Sequence, residues 1–236
     1  MSSIAARLSR IDWQSVETAL AGNGYARLPR LLTAGECAAL MALYGDEGRF
    51  RKRIDMERHR FGVGEYKYFN RPLPPPVGDL RRHAYPPLAA IANRWMAALG
   101  ATERFPARLG GLAALCRRNG QTKPTPLLLR YAAGGYNCLH QDLYGEVAFP
   151  LQLACLLSRP RIDYRGGEFL LVEQRPRAQS VGHAVALGQG EGIVFPTRFR
   201  PLAGRRGHYR ATVRHGISRV ERGSRFTLGV IFHDAR

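Results

Sequence analysis

Acidic residues are scarce in this chain: 18 Asp and Glu stand against 36 Lys and Arg in 236 residues, a formal net charge of +18. That imbalance points to a polyanionic partner, most often nucleic acid, although a general preference for Arg codons would raise the charge in the same way. Cysteine is sparse as well. Cys37, Cys116, Cys138 and Cys155 include no Cys-x-x-Cys pair, which argues against structural zinc and against a disulfide framework, and favours reduced core thiols. No apolar run approaches the ~20 residues that span a bilayer. The opening Met-Ser-Ser-Ile-Ala-Ala-Arg7 lacks the apolar segment of a secretory signal. The expectation is a cytoplasmic protein with no membrane partner. Internal repeats and low-complexity tracts are also missing.

Hydrophobic residues make up 45% of the chain, enough for a sizeable core. Asp12 is placed to cap a helix to about Ala21, with Val16, Ala19 and Leu20 on one face and Asn23-Gly24 as its stop. Residues 25–32 read as extended, and Thr33-Ala-Gly-Glu36 is a capping-box pattern for a second helix to about Tyr44. A charged loop is expected from Arg49 to Arg60, then a Gly- and Pro-rich loop to Pro76. A long helix follows over about Pro86 to Leu99, with Leu88, Ile91, Trp95 and Leu99 as core contacts.

From Pro126 the pattern changes to short apolar runs between turn residues. Strands are expected at Leu127–Ala132, Tyr136–Leu143, Val147–Leu157, Gly167–Glu173, His183–Leu187, Gly192–Pro196, His208–Ser218 and Phe226–Phe232. Eight short strands behind a helical front predict a mainly β fold, a double-stranded β-helix (jelly roll, cupin-like) with N-terminal helices. The chain is read as one domain, 1–236. Within it, 1–125 is a helical N-terminal extension with a substrate loop, and 126–236 is the β-helix catalytic core.

Within the strand run, His140 and Asp142 sit two apart, so on a strand both side chains project to one face. An imidazole and a carboxylate so placed can share a divalent metal, and His215 is the candidate third ligand. His183 and His208 are weaker alternatives, while His59, His83 and His233 fit less well. Two histidines and one carboxylate leave positions open for oxygen and a co-substrate. Arg225 follows His215 across a turn at Gly223, and a buried guanidinium there would clamp a carboxylate through paired hydrogen bonds, with Thr227 on the same face. A surface hairpin arginine is the competing reading.

His-x-Asp, a distal His and an Arg soon after it resemble the pattern of the Fe(II)- and 2-oxoglutarate-dependent dioxygenases. More narrowly, several segments resemble a bacterial oxygenase family described as acting oxidatively on alkylated or damaged nucleic acid. They are Leu129-Arg-Tyr131, Tyr136 to Gly145, Gly166-Gly-Glu-Phe169, Glu173 to Arg177, Arg214 to Arg219 and Leu228 to Ala235. The similarity covers most of 60–236 and departs around Gly182 and His183, where no ligand falls. It implies Fe(II) held by His140, Asp142 and His215, with Arg225 on the distal carboxylate of 2-oxoglutarate and Tyr131 and Thr227 beside it. It also implies O2 as oxidant, succinate and carbon dioxide as products, and hydroxylation of a substrate C–H bond.

On an N-methylated base such hydroxylation ends in loss of formaldehyde, and in a duplex the base must be flipped out and stacked on aromatic side chains. Tyr66, Tyr68, Phe69 and Tyr144 are the candidates. Nine Arg between 198 and 225, against the single acid Glu221, are candidates for phosphate contacts or for a solvated hairpin rim. The core motifs also resemble prolyl-hydroxylase-type oxygenases, so hydroxylation of a protein side chain, ribosomal proteins included, is the alternative. A silent β-helix that only binds nucleic acid is a third reading, and the complete metal and carboxylate set argues against it.

Overall fold

The capping signals near the N-terminus form as the sequence predicts. The computed structural model describes residues 2–236. After α1 (Ile4–Leu8), Asp12 caps α2 (Trp13–Asn23) by accepting from the amides of Gln14 and Ser15. Gly24 ends α2 at φ +80°, a left-handed conformation that favours glycine. Strand β1 (Ala26–Arg30) leads to the Thr33–Glu36 capping box, which opens α3 (Ala34–Ala42). Arg7 of α1 closes on the same Glu36 carboxylate at 2.7 Å.

The stretch expected as loop from Arg49 to Pro72 instead contains β2 (Phe50–Asp55), β3 (Gly62–Val63) and β4 (Glu65–Phe69). On β2 only Phe50 and Ile54 are buried, and a register shift between Phe50 and Lys52 interrupts the regular pairing. Charged side chains on the open face therefore mask the period-two pattern of a strand. Helix α4 spans Pro75–Ala98 and begins well before Pro86. Pro75 and Pro76 occupy its first turn, where a missing N–H costs nothing. Burial of Val77, Leu80, Ala84, Tyr85 and Leu88 carries it past Pro86 and Pro87. Helix α5 (Leu109–Arg118) has no counterpart among the expected elements, because Gly110-Gly111 reads as a turn.

Ten strands follow. They are β5 (Leu127–Ala132), β6 (Tyr136–His140), β7 (Leu151–Leu156), β8 (Tyr164–Gly166), β9 (Phe169–Gln174), β10 (Val181–Val185), β11 (Glu191–Pro196), β12 (Phe199–Gly204), β13 (Gly207–Ile217) and β14 (Val220–Val230). Strand β6 stops at His140, so Asp142 lies just past the strand on which it was expected. The segment 199–204 forms β12, a hairpin arm on β13, and β14 starts at Val220, ahead of the expected Phe226.

Two antiparallel sheets face each other. The larger runs β1-β11-β7-β14-β5-β4-β2, with β8 on β14, and the smaller runs β10-β9-β13-β6-β3, with β12 on β13. This is the jelly roll expected from the strand run, extended by β1, β2, β3 and β4 from the first 70 residues. Strand β7 is buried at every position, as a central strand covered on both faces must be. Its Leu151, Leu153 and Cys155 join the core beneath the helices, with Tyr85, Leu88 and Trp95. Ala154 and Leu156 join the second core between the sheets, with Phe169, Phe195 and Ile217. No helix is long and apolar enough to cross a membrane.

The arginines of 198–225 divide sharply. Arg198, Arg205, Arg206, Arg210, Arg214, Arg219 and Arg222 are exposed, and among the described residues none of them is in an ion pair. Arg200, expected on a solvated or phosphate-facing rim, is instead 2% exposed. It pairs with the equally buried Glu173 and donates to the carbonyls of Leu20 and Ala21 at the end of α2. Burial opposes ionisation of Glu173, but hydrogen bonds from Arg200 and Arg175 outweigh it and hold the carboxyl below its ordinary 4.5.

Arg200→Ala should therefore lower the unfolding free energy by about 3–5 kcal/mol, read from urea midpoints, because Glu173 is left buried without its partner. The contribution of the pair is complete above pH 4.5 and is lost as pH falls through the lower folded value. Glu173→Gln should flatten that acid limb; an unchanged pH profile would remove Glu173 from it.

Candidate active site

The two histidines meet because β6 and β13 pair in register, with His215 opposite His140 and the ring centroids 4.3 Å apart. Asp142 reaches them from the turn after β6, where its amide donates to the Thr197 carbonyl. Its Oδ2 lies 3.2 Å from His215 Nε2 and its Oδ1 3.6 Å from His140 Nε2. One ligand atom from each residue falls within 4.8 Å of the others. The Cys138 carbonyl lies 2.8 Å from His140 Nδ1, so a proton on that nitrogen leaves Nε2 free as a lone-pair donor.

Burial opposes the charge on Asp142, but hydrogen bonding from His215 and the nearby imidazoles hold its carboxyl well below the usual range. Burial and His140 push the His215 imidazole down, against the pull of Asp142. The result is an ionised carboxylate facing a His215 imidazole that burial keeps from protonating. His215 Nδ1 is buried without a hydrogen-bond partner. Two nitrogens and one carboxylate at the wall of a cavity match the donor set that holds iron(II) with open positions, so these residues fit the metal that the sequence implies.

The cavity measures about 360 Å³ and runs between the sheets from this cluster to Arg225. Strand β14 pairs with β5 so that Arg225 stands opposite Tyr131 and Thr227 opposite Leu129. Arg225 is 2% exposed, far from the surface-hairpin alternative. It donates to the Thr227 hydroxyl, leaves its Nε without a partner and meets no acidic side chain among the described residues. A guanidinium cannot shed its charge by deprotonation, so a buried one without a carboxylate is suited to receive an anion. Gly167, at φ +65°, makes room for it: a Cβ there would lie 2.9 Å from Arg225 Cδ.

Tyr131 is fully buried on the same wall, and its hydroxyl accepts from Asn137 Nδ2 at 3.2 Å. Asn137 escaped the sequence reading because it sits at an odd offset from His140; its place inside the Tyr136–Tyr144 segment was the available signal. Gln152, also missed, lines the cavity from β7. Tyr66 and Tyr144 line the cavity as well, whereas Tyr68 stands behind them and its hydroxyl donates to that of Tyr144 at 3.3 Å. The Tyr144 hydroxyl in turn donates to Asp142 Oδ1 at 2.7 Å. Tyr144 thus acts on the carboxylate ligand before it acts on any substrate.

The remaining histidines lie elsewhere. His183 is on β10 against Tyr25, with ring centroids 5.5 Å apart, and His208 is exposed near the β12–β13 turn. His233 is fully buried, accepts from the Phe149 amide and is pushed by burial down to about 4. The mouth of the cavity carries Arg60, Phe61, Leu139 and Leu143.

Tyr144→Phe removes the bond that occupies one oxygen of Asp142. We expect a loss of about 10- to 100-fold in iron(II) affinity with the fold retained, measured by metal titration and circular dichroism; an unchanged affinity would strip Tyr144 of this positioning role.

Comparison with known proteins agrees with this geometry. A family model described as "Oxygenase, catalysing oxidative methylation of damaged DNA" matches residues 64–235. Two uncharacterized Mycobacterium tuberculosis proteins are each 51% identical over 164 residues, which is 70% of this chain and 70% of theirs. Among solved structures, a Pseudomonas putida prolyl-4-hydroxylase superposes with a TM-score of 0.55 at 18% identity, over 95% of this chain and 99% of that one. A Burkholderia pseudomallei oxidoreductase of the 2OG-Fe(II) oxygenase family gives 0.56 at 14% identity, over 96% and 93%. At such identities the solved structures speak for the fold, and the family match speaks for the lineage. The chain belongs to this oxygenase family, and its fold is that of the 2-oxoglutarate- and Fe(II)-dependent oxygenases.

Proposed function

We propose that this protein, read as one catalytic domain over 1–236, is a Fe(II)- and 2-oxoglutarate-dependent dioxygenase that oxidises alkylated bases of nucleic acid. One observation carries the cofactor assignment: a His-Asp-His cluster and an arginine without an acidic partner among the described residues are held in the same cavity. His140, Asp142 and His215 would hold the iron. Arg225 would hold the distal carboxylate of 2-oxoglutarate, with Thr227 and Tyr131 beside it. Together the bound groups and O2 supply an oxidant for C–H bonds, one oxygen atom ending in succinate, the other in a substrate hydroxyl, with carbon dioxide released.

The chain's own residues bind, orient and exclude water. Arg225 fixes one end of the co-substrate, and Tyr144 keeps Asp142 Oδ1 occupied so that Oδ2 faces the metal side. Leu129, Phe169, Phe195 and Ile217 form walls that keep water from the reacting groups. The nucleic-acid substrate is supported by the net charge of +18, by seven exposed arginines without acidic partners and by the family description. A further exposed arginine, Arg60, lines the mouth of the cavity itself. An N-methylated base swung into the cavity would be hydroxylated on its methyl and release formaldehyde.

A second reading, hydroxylation of a protein side chain, is favoured by the exposed Phe61, Leu139 and Leu143 around the mouth, which would also suit an apolar peptide. Succinate and formaldehyde release over methylated DNA, methylated RNA and peptides separates the two. Formaldehyde formed only with methylated nucleic acid is the expected result. Succinate coupled to a peptide that gains one oxygen, without formaldehyde, would move the enzyme to the protein hydroxylases.

His140→Ala and Asp142→Ala should each abolish iron-dependent 2-oxoglutarate turnover while circular dichroism stays native; full turnover in either would sink the triad. Arg225→Leu should raise the 2-oxoglutarate Michaelis constant at least about tenfold, the loss of a charge-assisted pair, and an unchanged constant would remove Arg225 from the clamp.

A further inference from the structure

We propose that Gln152 is a specificity-determining residue whose carboxamide hydrogen-bonds the donor–acceptor edge of the base brought to the metal. This rests on the reading of Arg225 as the co-substrate clamp. Gln152 alternates with Ala154 and Leu156 on the inner face of β7, and it lines the cavity. The residue is 4% exposed, and its Nε2 is buried with no hydrogen-bond partner. Its cross-strand partner is Phe195, and Ala154 and Leu156 follow it on the same face of β7; none of these offers a polar side chain. A leucine or methionine of similar volume would pack there without an orphaned donor, so the amide earns nothing from the fold itself.

The strand register tells which ligand it faces. Leu156 stands opposite Thr227, so Arg225 lies level with a point six residues along β7 from Gln152, roughly 20 Å at the rise of a strand. A five-carbon diacid held by Arg225 extends no further than about two residues of extended chain, ~7 Å. The carboxylate held by Arg225 therefore lies at the far end of the cavity from Gln152. The metal cluster is much nearer: Phe195 is the cross-strand partner of Gln152, and its ring centroid lies 4.7 Å from that of His215. Gln152 thus faces the His215 side of the cavity, away from Arg225, where the base must come to reach the metal. There a carboxamide presents donors and an acceptor together, the pairing by which Gln reads the edge of adenine.

The test compares full-length wild type with Gln152→Leu and Gln152→Glu, using a single-stranded oligonucleotide carrying N-methylated adenine. For Gln152→Leu, kcat/KM on the oligonucleotide should fall at least about tenfold, with the 2-oxoglutarate Michaelis constant within about twofold of wild type. Its melting temperature should rise by about 2–4 °C, because the orphaned donor is gone. Gln152→Glu, which keeps the shape but loses the amide donors, should show the same loss on the oligonucleotide. Unchanged kcat/KM in both variants would overturn the assignment. A parallel rise in the 2-oxoglutarate constant would move Gln152 to the co-substrate, and a lower melting temperature in Gln152→Leu would make it a structural residue. Wild type inactive on the oligonucleotide would overturn the nucleic-acid reading and the base-edge assignment together, an outcome distinct from failure of the variants alone.

Discussion

A guanidinium that cannot lose its charge, buried at the closed end of an apolar cavity, dictates the polarity of this molecule. Arg225 has no acidic partner among the described residues, so the cavity floor calls for an anion. The opposite demand stands along the same cavity, where an ionised Asp142 between the rings of His140 and His215 suits a cation. A ligand with a carboxylate at one end and metal-binding oxygens at the other satisfies both. What is left faces the mouth, which Phe61, Leu139, Leu143 and the exposed Arg60 line.

The two-sheet architecture makes that layout possible. Strands β5, β7 and β14 are central in the larger sheet, so one face of each packs on the helices while the other lines the cavity. Alternation along β14 sends Leu228 and Val230 to the helical core and Arg225 and Thr227 to the site. The helices α2 and α4 are tied to the β framework by buried arginines: Arg200 of β12 reaches the last carbonyls of α2, and Arg81 of α4 reaches Asp234 and the Phe232 carbonyl. Those arginines serve folding. Of the seven exposed ones of residues 198–222, Arg219 donates to the Gly134 carbonyl and Arg210 packs over the Phe199 ring, and none of the seven pairs with an acid among the described residues.

Local chemistry was legible where it repeats with the period of the backbone. The caps at Asp12 and Thr33, the strand run after Pro126 and the offset of His140 from Asp142 all follow from neighbours within a few residues. The misreadings share one cause. Strand β2 and helix α5 hide behind charges or a Gly pair, and α4 runs through prolines, because burial supplied by distant segments overrode local preference. Arg200 was read as a rim residue for the same reason: its partners, Glu173 and the end of α2, are remote in sequence.

The jelly-roll class and the pairing of His140 with Asp142 were readable from the chain alone, since each is carried by short-range pattern and by residue types with few alternative uses. Only the tertiary structure decided that Arg225 is buried and unpaired, that Tyr144 holds Asp142, that Asn137 supports Tyr131, and that an orphaned Gln152 amide faces the metal side. Those facts depend on which side chains meet across strands far apart in the chain. Burial and hydrogen-bond satisfaction are properties of that meeting, and no single segment contains them.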